Sequence, residues 1–235
     1  MIYLNSPFLI EGSEHLIKGH VKRGNVLLLS AVPGAGKTSF GLQFLEDGFK
    51  TDQPGMAIVT DFSPDELIST ATTFGFTWRK YLESGLLKII DCYSFMDGAK
   101  STSKYYVDSP SALTNVSIVL TEAQKGVENG RLIVDSASTL LLLSDDAAGV
   151  KFLSSISARM KRAGYTCVFI LEGGVHDAHI SNRLRYLLDG VLDMKIEEVD
   201  DERRRFFRIY SLRGCRHETK WIPFSIGEKG FILEE

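Results

Sequence analysis

Residues 26–45 read Val26-Leu27-Leu28-Leu29-Ser30-Ala31-Val32-Pro33-Gly34-Ala35-Gly36-Lys37-Thr38-Ser39-Phe40-Gly41-Leu42-Gln43-Phe44-Leu45. An apolar run, a loop of small residues and an apolar-periodic segment follow one another without a gap. The run suits a strand buried on both faces, and the last segment suits a helix. Between them Gly34, Ala35 and Gly36 allow successive backbone N–H groups to converge on an anion, and the start of a helix favours negative charge. Lys37 is then placed to reach the β- and γ-phosphates of a nucleoside triphosphate, and the Thr38 hydroxyl to bind Mg²⁺. The expected contact set is Pro33, Gly34, Ala35, Gly36, Lys37, Thr38 and Ser39, with ATP and Mg²⁺ as ligands. Ala31 stands where such loops usually begin with glycine, which costs little if its φ stays negative.

Outward from this stretch, short continuous apolar runs recur: Met56-Ala57-Ile58-Val59, Leu86-Leu87-Lys88-Ile89-Ile90, Leu132-Ile133-Val134 and Cys167-Val168-Phe169-Ile170-Leu171. Helix-like segments separate them. Ser63-Pro64-Asp65-Glu66 is a capping box with proline at the first helical position, and Gly75 closes that helix. Ser109-Pro110 predicts a second helix, with Leu113, Val116, Leu120, Ala123 and Val127 inward. Phe152, Ile156 and Met160 mark a third. After Gly190 strands follow without helices: Val191 to Ile196, Phe206 to Tyr210 across the turn Asp200-Asp201-Glu202, Trp221 to Ile226, and Phe231 to Leu233. The expected fold is α/β, a mainly parallel sheet flanked by helices with C-terminal antiparallel hairpins.

The 235 residues, 44% hydrophobic and 24% charged, are expected to form one domain over 1–235. A formal charge of −3 gives no whole-protein attraction to nucleic acid or anionic membrane, so either would need a local patch. Cys92, Cys167 and Cys215 form no metal-ligand spacing and read as small buried apolar residues. The stretch Met1-Ile2-Tyr3-Leu4-Asn5-Ser6-Pro7 lacks a basic segment followed by an apolar one, and no run approaches the ~20 apolar residues that span a bilayer. The expectation is a soluble, cytoplasmic protein.

A magnesium site beside the phosphate loop needs a carboxylate at a strand end, and Arg131-Leu132-Ile133-Val134-Asp135 supplies one. Asp135 would hold Mg²⁺ through a water.

Taken in order, the loop, Thr60-Asp61-Phe62-Ser63-Pro64-Asp65-Glu66-Leu67, Phe74-Gly75-Phe76, Asp135-Ser136-Ala137-Ser138, and Leu212-Arg213-Gly214 followed by His217 resemble the KaiC-like branch of the RecA superfamily, single-domain archaeal type. The resemblance runs from about Lys22 to the C-terminus. It implies a RecA-like core and a ring or filament with ATP between subunits. It also implies two adjacent acids after the second strand that orient or deprotonate the attacking water, and a late Lys-x-Arg that reaches the neighbouring subunit's γ-phosphate. Here those positions hold Asp61 and Phe62, and Ser211-Leu212-Arg213. Asp61 is one methylene shorter than glutamate, and a misplacement of about 1 Å can cost on the order of 10²-fold in rate. Two readings of Asp61 stand, a weakened general base and a helix cap. Two stand for Arg213, an arginine finger in trans and an exposed surface cation.

Arg203, Arg204, Arg205, Arg208, Arg213, Arg216 and Lys220 interleave with Phe206, Phe207 and Tyr210. Such a strip suits either a single-stranded nucleic-acid track or a hairpin with charges in water and aromatics in the core, and the second reading is favoured. Glu172-Gly173-Gly174-Val175-His176-Asp177-Ala178-His179 reads as a mobile loop at the ligand edge of the sheet, with metal binding by its histidines disfavoured. His15, His20 and His217 show no partner pattern. Three functions compete: a slow ATPase or ATP-dependent switch with a possible protein partner, a RecA/RadA-type paralogue binding single-stranded DNA, and a pseudo-ATPase accessory subunit.

Overall fold

The computed structural model describes residues 10–18 and 23–234. The segment 1–7, His20 and Lys22 lie outside them. In chain order the strands and helices are β1 (Ile17–Lys18), β2 (Val26–Ala31), α1 (Lys37–Phe49), β3 (Gly55–Val59), α2 (Pro64–Thr73), α3 (Trp78–Ser84), β4 (Leu87–Asp91), β5 (Tyr105–Tyr106), α4 (Leu113–Gln124), β6 (Arg131–Asp135), α5 (Ala137–Leu142), α6 (Asp146–Arg162), β7 (Thr166–Glu172), α7 (Ala178–Leu187), β8 (Gly190–Val199), β9 (Glu202–Leu212), β10 (Arg216–His217), β11 (Ile222–Gly227) and β12 (Gly230–Leu233).

Ten strands form one sheet in the order β12-β11-β9-β8-β2-β7-β6-β3-β4-β5. From β8 to β5 every neighbouring pair is parallel, and from β8 to β12 every pair is antiparallel. The apolar runs occupy the parallel half because those strands are covered on both sides. On one face Leu27, Leu29 and Ile133 pack with Phe40 and Phe44 of α1, Leu67 of α2 and Trp78 of α3. On the other, Leu28, Val134 and Phe169 pack with Val116 and Leu120 of α4, Leu140 of α5, Ile156 and Met160 of α6 and Leu184 of α7. Phe207, Phe224 and Phe231 extend the first face under the antiparallel half.

The capping box at Ser63 is formed as expected: its side chain accepts from the Glu66 N–H, and Glu66 accepts from the Ser63 N–H at 2.7 Å. The second helix begins later than Ser109-Pro110 predicts. The Ala112 N–H donates to the Ser109 carbonyl in a separate turn, α4 starts at Leu113, and Val127 lies past its end. The 172–180 segment is shorter as a loop than expected, because α7 takes up Ala178, His179 and Ile180. In the basic strip, Phe207 and Ile209 are buried while Phe206, Arg208 and Tyr210 alternate with them on the opposite side. Two of the strip's three aromatics therefore share the charged face rather than the core. Among the described residues no helix is long and apolar enough to cross a membrane.

Candidate functional site

Parallel strands place their C-terminal ends along one edge of the sheet, and ligands of open α/β folds bind there. The loop after β2, Thr60-Asp61 after β3, Asp135 at the end of β6 and Glu172 at the end of β7 meet on that edge. The register enforces this, since Ala31 pairs with Glu172 and Val59 with Asp135.

Gly34 and Gly36 have φ of 75° and 100°, a region that side-chain-bearing residues adopt only with strain. A Cβ on Gly36 would also lie 2.5 Å from Ile226 Cδ1 of β11 and displace that side chain, so the loop turns closely against the hairpin. A Cβ on Gly34 would meet nothing within 4 Å, which leaves that side of the loop open to a ligand. Gly36 is the N-cap of α1 and offers no side-chain oxygen to the first-turn amides. Those amides and the dipole of a 13-residue helix remain directed at the loop.

Lys37 is buried, and its Nζ donates to the carbonyls of Val32 at 3.0 Å and Ala31 at 3.2 Å and lies 2.8 Å from Glu172 Oε2. Thr38 Oγ1 donates to Asp135 Oδ2 at 2.7 Å. Burial pushes the Asp135 carboxyl up to about 7; Asp61 and Glu172 push the same way, while the Thr38 hydroxyl and Lys37 oppose them. Asp61 Oδ1 accepts from Thr60 Oγ1 at 2.9 Å and from Thr139 Oγ1 at 2.5 Å. The N-cap of α2 is Ser63, so the capping alternative for Asp61 is corrected: that helix start is satisfied without it. Phe62 is half-buried and packs against the core.

The arrangement fits a magnesium–nucleotide ligand. Three carboxylates, those of Asp61, Asp135 and Glu172, face one lysine, a charge imbalance that a divalent cation would relieve. Glu172 Oε1 is buried without a hydrogen-bond partner among the described residues. Mg²⁺ characteristically takes one or two protein oxygens and completes its shell with phosphates and water. Thr38 and Asp135 offer that kind of partial set, and no cluster of three or more His, Cys, Asp or Glu able to hold a metal occurs among the described residues.

Arg213 is not at this edge. Leu212 pairs with Gly190, which in turn pairs with Leu27 near the start of β2, so Arg213 lies beyond the opposite end of the sheet. That is several residues of strand from the loop, roughly 15 Å at about 3.3 Å per residue. Its guanidinium donates to the Tyr186 carbonyl and sits 5.6 Å from the Tyr186 ring centroid. Of the residues singled out in the sequence, Lys37, Thr38, Asp61 and Asp135 thus meet at one edge of the sheet and Arg213 lies at the other.

Three contributors escaped the sequence reading. In the sequence Glu172 reads only as the start of a loop, yet it pairs with Lys37. Thr139 reaches Asp61 from α5. Ser138 Oγ accepts from the Glu172 N–H at 2.7 Å and lies 2.9 Å from His176 Nε2, tying α5 to the loop after β7. Burial lowers the His176 pKa, against the pull of Asp146.

The chain matches the KaiC ATPase family over residues 7–235. It is 28% identical over 226 residues to a UPF0273 protein of Pyrococcus furiosus, covering 95% of this chain and 91% of the relative. A UPF0273 protein of Aeropyrum pernix is 29% identical with the same coverage. The crystal structure of a KaiC-like protein of Pyrococcus horikoshii superposes with a TM-score of 0.74 at 23% identity, covering 99% of this chain and 98% of that one. That likeness establishes the RecA-like fold. With its phosphate loop and strand-end acids set on this fold, and a family match that spans nearly the whole sequence, the chain belongs to the KaiC family of ATPases.

Proposed function

We propose that the chain binds Mg²⁺·ATP at the loop 33–39, hydrolyses it slowly, and uses the bound state as a switch for assembly or partner docking. The observation that carries this reading is the pairing of Thr38 Oγ1 with Asp135 Oδ2 beside the buried Lys37 Nζ. It sets a hydroxyl, a carboxylate and an ammonium around one point at the mouth of a glycine cradle.

Each residue then has a role. Loop amides and the α1 dipole hold phosphate oxygens. Lys37 shifts from Glu172 toward the β- and γ-phosphates, and Thr38 and Asp135 hold the metal, which would neutralise charge developing on the phosphoryl group. Asp61 orients or deprotonates water. Turnover is slow because Phe62 leaves only one acid where two would act. Arg213, at the far end of the sheet, serves a neighbouring subunit's nucleotide, so the active assembly is a ring or filament of one-domain subunits in the cytoplasm.

No observation favours the nucleic-acid reading. Trp221 has Lys195 Nζ at 4.4 Å and Arg208 at 4.3 Å from its ring centroid, and Tyr210 has Arg185 and Arg208 both at 5.0 Å. Arg185 and Arg208 are also paired with Asp193. Rings and cations already satisfy one another, which leaves little for bases and phosphates.

Sedimentation with and without ATP and Mg²⁺, beside a steady-state hydrolysis rate, tests the switch. Nucleotide-dependent assembly with turnover below the common range of about 1–10³ s⁻¹ is expected. Bound nucleotide that changes neither assembly nor turnover would overturn it in favour of an accessory, structural role for ATP.

A further inference from the structure

An acid one methylene short of the family's usual glutamate needs support if it is to hold a water in line. We propose that Thr139, on α5, is the positioning residue that aims the Asp61 carboxylate, an inference that rests on the assignment of Asp61 made above. The hydrogen-bond directions are determined by chemistry. An ionised carboxylate only accepts, so Thr139 Oγ1 donates to Asp61 Oδ1 at 2.5 Å. Having spent its one proton, Thr139 Oγ1 accepts from Ser136 Oγ at 3.0 Å, and Ser136 Oγ accepts the Thr139 N–H at 3.1 Å. The result is a directed chain, Ser136 hydroxyl to Thr139 hydroxyl to Asp61 carboxylate. It starts at the residue that follows Asp135 and ends on the acid two residues past β3.

A second hydroxyl, that of Thr60, contacts the same oxygen and also lies 3.2 Å from the Ser136 carbonyl. Thr60 Oγ1, almost wholly buried, accepts the Ser136 N–H at 2.7 Å and lies 2.9 Å from the same Asp61 Oδ1. Both contacts fall on Oδ1, and Asp61 Oδ2 accepts from no group among the described residues. One oxygen is thus anchored, and the other is left to accept from a water within hydrogen-bond reach.

Helix structure alone does not call for this contact. Ser136 already caps α5 through the Thr139 N–H. Thr139 is the third residue of α5, so the position four back, Asp135, lies before the N-cap, and its carbonyl accepts the Thr60 N–H. The Thr139 hydroxyl crosses to a residue 78 positions away in sequence.

The test uses the full chain with Mg²⁺·ATP and compares wild type, Thr139→Val, Thr139→Ser, Asp61→Asn and the Asp61→Asn/Thr139→Val pair. Turnover, KM, ATP-analogue affinity and melting temperature are measured for each. Thr139→Val keeps the shape but not the hydroxyl, and is expected to lower kcat by about tenfold or more, within the cost of an ångström-scale misplacement. KM, affinity and melting temperature should stay near wild type. Thr139→Ser should restore most of kcat, and the pair should be no slower than Asp61→Asn alone. Thr139→Val turning over at the wild-type rate while Asp61→Asn is slow would overturn the role of Thr139 and leave that of Asp61 standing. A drop in kcat accompanied by lost affinity and melting temperature, and not rescued by serine, would overturn it in favour of a structural role. If Asp61→Asn matches wild type at whatever rate, the assignment of Asp61 fails and this inference fails with it.

Discussion

At Asp135 a carboxyl is held where water is scarce, and its acidity reports the state of the site. Burial lifts it from 3.8 to about 7 in the folded chain. A group whose proton is bound more tightly in the folded state contributes stability that is present below its unfolded pKa and lost as pH rises through the folded value. Without Mg²⁺ and nucleotide, this residue should make the protein progressively less stable from about pH 4 toward pH 7. Asp135→Asn, neutral throughout, should flatten that part of the curve and melt higher than wild type at pH 8. Superimposable pH–melting curves for the two proteins would show that Asp135 is ionised at no cost. With metal bound the sign reverses, because the cation favours the ionised form, so stabilisation by Mg²⁺·ATP should grow between pH 6 and 8. Phe62 is the other informative side chain. A second acid here would restore the pair that the family resemblance implies, but the ring packs against the core and lines a cleft of about 300 Å³ beside Thr38. Phe62→Glu is expected to lose stability on the order of 1–3 kcal/mol, a half-buried aromatic exchanged for a charge, which denaturant unfolding would measure. Unchanged stability with faster hydrolysis would restore the simpler view of a missing acid.

Among the elements, legibility followed how much of the physics is local. β2, β3, β4, β6 and β7 announce themselves because strands covered on both faces must be continuously apolar. The α2 start is equally readable, since both halves of its capping box lie within four residues. The α4 start misled because Ser-Pro serves a free-standing turn as well as a helix cap, and only the carbonyl that takes the Ala112 N–H tells them apart. α7 was missed in part because it is largely exposed, with Ile180 and Leu184 its buried residues, so its apolar stripe is thin. The site divides the same way. Lys37, Thr38 and Asp135 come from motifs written in consecutive residues. Glu172 and Thr139 act across the sheet edge, through a parallel register and an α5 rotation that no spacing in the sequence encodes. The strip on β9 was misjudged because alternation put Phe206 and Tyr210 on the side of Arg208, where cation–π contacts hold them outside the core.

For the whole molecule, the distance between Arg213 and the phosphate loop is the controlling fact. Opposite ends of one sheet cannot serve one nucleotide, so catalysis that uses Arg213 requires a second copy. Arg213→Ala should leave ATP affinity of the isolated subunit nearly intact while lowering turnover and nucleotide-dependent assembly. Mixed with Lys37→Ala subunits it should regain part of the rate, since an intact loop and an intact arginine can then meet at one interface. A protein that stays monomeric with ATP and Mg²⁺, and a mixture that recovers nothing, would return Arg213 to a surface residue that stacks on Tyr186. Beneath these proposals lies the claim that the glycine cradle and Lys37 hold the triphosphate. Its most direct test is an equilibrium titration of a fluorescent ATP analogue with Mg²⁺ against wild type and Lys37→Ala, with circular dichroism to verify that both are folded. The expected result is saturable binding by wild type and no measurable binding by the folded variant; equal affinities in the two proteins would contradict it.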